Sequence, residues 1–156
     1  MRRVKKLVCQ EDGAELVEFA AAATIFLTLI FGIIEFSLGL YADNFVATAA
    51  QQGTRYAMVR GSDWTSACAT ASSFDCQATA ANVQSYILSQ AHPGLNLTAS
   101  NITVTWLTTT ASGSTCVQYA QGCQVEVTVN YPFQPNIPFF TSSIQLSSTS
   151  IETIQN

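Results

Sequence analysis

The chain begins polar and basic and then turns abruptly apolar. Phe19 to Ile34 is a run of sixteen residues without a charge, FAAAATIFLTLIFGII. Beyond Glu35, FSLGLYA carries the same character to Asp43. A helix rises about 1.5 Å per residue, so the charge-free run covers about 24 Å. Either flank lengthens it to the roughly 30 Å of a bilayer's hydrocarbon core, bringing Glu18 or Glu35 to the interface. A single membrane span over about 18–41 is expected, the alternative being the buried helix of a soluble domain. From Tyr41 to Arg60 the helical spacing continues, with Phe45, Ala49, Gln52 and Tyr56 at i, i+4, i+7 and i+11. One long helix over 14–60 follows, ended by Gly61, half in lipid and half packed on an external domain.

The remainder is patterned for a small mixed domain over 61–156. Asp75 to Ala91 reads as a second helix with Ala80, Val83, Ile87 and Ala91 on one face, stopped by His92-Pro93-Gly94. Asn101 to Thr109 alternates Ile102, Val104 and Trp106 against threonines. Gln124 to Tyr131 alternates Val125, Val127, Val129 and Tyr131 against Glu126, Thr128 and Asn130. Pro132, Pro135 and Pro138 are expected to end that strand, Phe139-Phe140 to return toward the core, and Ser143 to Ser150 to add a last strand. The fold class is α+β: a single-span, pilin-like plan with a long N-terminal helix packed on a small antiparallel sheet.

Charge sharpens the division. Of six Lys and Arg, four (Arg2, Arg3, Lys5 and Lys6) lie in the first six positions, and only Arg55 and Arg60 follow. The balance of −4 over 156 residues splits into +2 for residues 1–13 and −6 for the rest. So few cations exclude a nucleic-acid footprint. A basic segment ahead of the apolar run places the N-terminus in the cytoplasm and the polar, Thr-rich domain outside. Trp106, Tyr119, Phe133, Phe139 and the strand valines supply a core, so the domain is not disordered.

The start of the chain does not fit the usual export signals. Glu11, Asp12, Glu15 and Glu18 interrupt the approach to the apolar run, and Leu40 spoils a small-x-small site at Ala42. Arg2-Arg3 and Cys9 lack the apolar segment that a twin-arginine signal or a lipoprotein box requires. What remains is a basic leader ending in Gly13, then AELVEF and the helix. With GAELVEFA at Gly13–Ala20, FGIIEF at Phe31–Phe36 and AAQQGTRYA at Ala49–Ala57, the first sixty or so residues resemble the TadE-like family of pseudopilins of the tight-adherence (Flp/Tad) pilus system. The family often carries a proline early in the apolar helix, where this chain has Ala22, Ala23, Thr24 and Ile25; that leaves the subtype open.

The resemblance implies processing after Gly13 by prepilin peptidase, with Ala14 as the first residue, Glu18 fifth and Phe19 sixth. It implies inner-membrane insertion with the C-terminal domain periplasmic, and partnership with other pilin or pseudopilin subunits and the tight-adherence machinery. The residues agree with it. Gly13 suits an extended substrate in a narrow protease site. An amine created at Ala14 lies one helical turn from Glu18, at i,i+4 spacing. Glu35 is about 25 Å further along and is read as the far interface. Gly32 and Gly39, seven apart, are candidates for close helix contact.

Five cysteines are present, Cys9, Cys68, Cys76, Cys116 and Cys123. Losing the leader leaves four on the oxidising side. Four allow three pairings; Cys68–Cys76 and Cys116–Cys123 are expected, each closing a short loop, against a four-thiolate zinc site as the rival. Neither a phosphate loop nor a Gly-x-Ser-x-Gly elbow is present, and His92 is the sole histidine. Glu126 has no second carboxylate in register. Asn96-Leu97-Thr98 and Asn101-Ile102-Thr103 match the glycosylation pattern, a frequent coincidence in a Thr-rich chain. No catalysis, cofactor or metal is expected. Three functions stay open: a minor pilin or pseudopilin in pilus assembly, a non-polymerising inner-membrane-anchored periplasmic scaffold or binding protein, and a secreted adhesin-like domain cut near Ala42.

Overall fold

Residues Gln10–Met58 form one uninterrupted helix, α1, of 49 residues. The computed structural model describes residues 10–64, 66–90, 93–110, 112–136 and 142–155. No proline interrupts α1. Its hydroxyls do not break it either, because Thr24, Thr28, Ser37 and Thr48 each donate to the carbonyl four residues back, at 2.7 to 2.8 Å. Such back-bonding satisfies a polar side chain within its own helix, which matters where no water is available. The helix starts ahead of Gly13 and ends two residues before Arg60, so its length is close to that expected from the pattern.

The second helix, α2 (Ala80–Ser89), is shorter than the periodicity of Asp75–Ala91 suggests. Two constraints claim its first residues. Cys76 is tied to Cys68, and Gln77 pairs with the Ala67 segment through the Gln77 N–H to Ser66 O and Cys68 N–H to Gln77 O bonds, at 2.8 and 2.9 Å. The chain is released at Thr79, which caps the helix in a reciprocal box with Asn82. Such a cap supplies the amide acceptors that a helix start lacks. Gln90 is already extended. His92, expected to help stop this helix, lies outside the described residues.

Three antiparallel strands follow in the order β1-β2-β3: β1 (Ile102–Thr110), β2 (Cys123–Phe133) and β3 (Ile144–Thr153). The centre pairs Val104 with Val127 and Val127 with Ser150. Pro132 does not end β2, as the sequence suggests, but pairs with Gln145 inside it. The reason is local. Strand β1 begins opposite Val129, so the last residues of β2 pair on one side only, where proline is tolerated. Strand β3 also runs three residues further than expected, and carries the buried Ile154 to its end. Phe139 and Phe140 are outside the described residues.

Both helices cover one face of the sheet. The upper part of α1 packs on β2 and β3, and α2 packs on α1 and β1. The core between them holds Val46, Ala49, Ala50, Ala57, Val83, Ile87, Ile102, Val125, Val127 and Val129. The Thr54 hydroxyl, fully buried, meets the Ser150 hydroxyl at 2.9 Å and fixes α1 against β3. The Cys68–Cys76 and Cys116–Cys123 disulfides have Cα separations of 4.9 and 5.8 Å and fasten the two loop regions as expected. Each restrains the unfolded chain by about 2–3 kcal/mol. With the sulfurs paired in this way, the four-thiolate rival falls.

Candidate functional site

Two surfaces carry chemistry beyond the core. The first is the lower half of α1. From Gly13 to Ile34 nothing in the domain covers it, and Phe19, Ile25, Phe26 and Phe31 are 63–75% exposed. No residue of its most apolar 18-residue stretch is buried. Those 22 residues span about 33 Å. Aqueous surfaces carry scattered apolar residues but not an entire cylinder of them. By length and composition the segment is able to anchor in a membrane.

The residues marked from the sequence distribute along this helix. Gly13 and Ala14 are in its first turns, helical and exposed, and a Cβ at Gly13 would meet nothing within 4 Å. Glu18 and Phe19 are one turn on and exposed, with Glu18 on the face of Ala14. Gly32 is equally open, whereas Gly39 is not: a Cβ there would lie 3.5 Å from the Phe133 ring. The close approach at Gly39 is made by the chain's own β2 tip.

Glu35 marks where the domain first touches α1. Its Oε2 accepts the Asn136 N–H at 3.2 Å, and a cleft of about 480 Å³ opens between Glu35, Gly39, Phe133, Pro135 and Ile144. A carboxylate held by a backbone donor of the external domain fits a boundary position.

The second surface lies at the upper end of α1, and the sequence reading did not find it. Gln52, Arg55 and Tyr56 of α1, Arg60 just beyond its end, the Thr70–Phe74 loop, and Tyr86 and Ser89 of α2 enclose a cleft of about 820 Å³. Tyr56 and Tyr86 stack with centroids 4.5 Å apart. The Arg60 guanidinium lies 4.1 Å from the Tyr56 centroid and donates to Tyr56 O at 3.3 Å. Such a stack is a cation–π contact, and Arg60 turns to aromatic rings rather than to Asp63 or Asp43. Burial raises the Tyr56 phenol above its usual 10.0, against a lowering by Arg60. Its hydroxyl donates to Ala71 O at 2.8 Å.

Gly53 makes this end possible. A Cβ there would sit 2.7 Å from Ile87 Cδ1 and 3.1 Å from Val127 Cγ1, so glycine admits α2 and β2 to the helix backbone. The available signal was a glycine inside a helical pattern that otherwise favours alanine.

Fold and surface together define a class: an α+β protein on one long helix, half of it domain core and half an uncovered apolar rod. Residues 13–55 match the family model of TadE-like proteins, the same family that the junction and helix motifs resemble. The match takes in the Gly13 junction, the apolar rod and most of the buried upper half, and it supports a pilin-like role in the Tad system. No curated protein and no solved structure matches the chain.

Proposed function

We propose that this chain is a TadE-like minor pilin or pseudopilin acting in assembly of a bacterial tight-adherence type IV pilus, and that it is not an enzyme. It is made with a basic leader, inserted in the inner membrane with the N-terminus cytoplasmic, and trimmed after Gly13 by prepilin peptidase. The observation that carries this reading is that the family match, which starts at Gly13, runs through the whole uncovered apolar rod of α1. The rod mediates lateral contact within the membrane or pilus, and the domain above it sets which subunits fit. The new amine at Ala14 pairs with Glu18 of the same or a neighbouring subunit, which offsets the cost of a carboxylate at the edge of lipid. A helical Gly13 must unwind to enter the protease, at small cost since glycine is a poor helix former.

The secreted-domain reading is weakened by one feature. Ala42 is completely buried in the middle of continuous α1, a poor place for a signal-peptide cut. Deleting the chain's gene tests the proposal: tight-adherence pili should disappear and return with the wild-type copy. A Glu18→Ala copy should insert normally but restore few pili. Normal piliation in the deletion strain would contradict the role, and full rescue by Glu18→Ala would contradict the charge pair.

A further inference from the structure

After Lys6 the chain has two cations, Arg55 and Arg60, and both line the cleft at the upper end of α1. Among the described residues, no carboxylate lines it with them. Arg60 spends one N–H on Tyr56 O, while its buried Nε–H has no acceptor among the described residues. Arg55 is exposed at the rim. The other side of the molecule is the uncovered face of the sheet. Glu126 alternates with the fully buried Val125 and Val127, so it points to that outer face. There it pairs across the strands with Thr105 and Ile151, next to the Thr128–Thr149 hydroxyl contact of 2.8 Å. Arg55 and Glu126 are at one level along the molecule. Thr54 is bonded to Ser150, Ser150 is paired with Val127, and each side chain of interest is one residue away.

We propose that the Arg55–Arg60 cleft receives the Glu126 carboxylate of a second copy of this chain. The inference rests on the proposed membrane placement of the lower half of α1. Copies anchored in one membrane share orientation and height, so the carboxylate entering the cleft must lie level with Arg55. Glu35 and Asp43 are 20 and 12 helix residues lower, about 30 and 18 Å; Glu126 is level, and Glu152, paired with the buried Val125, is on the helix-covered side rather than the outer face. Charge points the same way. Residues 14–156 carry eight carboxylates and two guanidiniums, so neighbouring copies repel unless an acid of one meets the cleft of the next. Guanidinium forks suit a carboxylate, and the tyrosine stack holds Arg60 in place to form them. Because cleft and carboxylate occupy opposite faces, the contact is heterologous and repeats as a row or ring around an axis along the helices.

The chain has no lysine after Lys6, which makes the contact addressable. Full-length Arg55→Lys protein is reconstituted as a mixture of isotope-labelled and unlabelled copies and treated with a carbodiimide, which joins amines to touching carboxylates. A mixed-isotope peptide linking position 55 to Glu126 is expected, and Glu126→Gln should abolish it. In sedimentation, Arg55→Glu and Glu126→Arg should each weaken association about two- to fivefold at low salt, and the double variant should restore it. Associated copies whose position 55 links to Asp63, Asp75, Glu152 or nothing would overturn this contact while leaving the pilus role standing. Copies that stay monomeric would overturn it too, and the deletion strain then judges the pilus role separately.

Discussion

The two halves of α1 are built from similar residue classes but used in opposite ways. The upper half buries small side chains, Ala42, Ala49, Ala50 and Ala57, together with Val46 and Gly53, against α2 and the sheet. The lower half leaves its Phe, Ile and Leu side chains exposed. A protein folded wholly in water would do the reverse, since burying a large apolar side chain stabilises by about 1.5–3 kcal/mol. Small residues above let three elements approach closely; large ones below suit hydrocarbon. The lower half is long and apolar enough to anchor in a membrane, and the domain first meets α1 near Glu35, where Asn136 holds the carboxylate.

The largest expected contrast comes from truncation on either side of that boundary. Ile87→Ala should destabilise the domain by about 3 kcal/mol, because Ile87 is fully buried between α1 and β2. Phe26→Ala should leave the midpoint of domain unfolding in detergent unchanged. Equal losses in the two variants would mean that the lower half belongs to the domain after all. Glycine substitutions sharpen the comparison at smaller magnitude. Gly53→Ala should cost about 1 kcal/mol net, since overpacking against Ile87 and Val127 exceeds the gain in helix propensity. Gly32→Ala, with open space around it, should not lower stability at all; denaturant unfolding of both variants reads the difference.

The smallest effect concerns pH and the upper half alone. Tyr56 has a raised folded pKa, chiefly through burial, so the folded state keeps its proton after the unfolded state begins to lose it. Its contribution is complete below the usual 10.0 and is lost as pH rises through the folded value. Stability followed across that alkaline range should fall less steeply in Tyr56→Phe than in wild type. An identical slope would place the Tyr56 hydroxyl in water.

Much of this architecture was readable from periodicity and charge. The apolar run, the valine alternation of β2 and the cysteine spacing each reflect a local physical demand, and each appears where expected. The boundaries that moved were set by non-local partners. Asp75 to Thr79 is held by the Ala67 segment and a disulfide rather than by α2. Pro132 survives in β2 because β1 starts too late to need an N–H donor at that position. The Arg60–Tyr56–Tyr86 stack joins two helices 30 residues apart in sequence, so no spacing rule announces it. Gly39, marked for helix contact, faces Phe133, from a strand almost a hundred residues away.

The central claim is that the apolar rod stays in the mature protein while the basic leader is removed from it. Intact mass and N-terminal sequence of the native protein, isolated from the membrane fraction, test this most directly. The account predicts a chain of 143 residues beginning at Ala14, with both disulfides intact. A chain that keeps residues 1–13 would contradict the processing, and one that begins at Asp43 would contradict the membrane anchor as well.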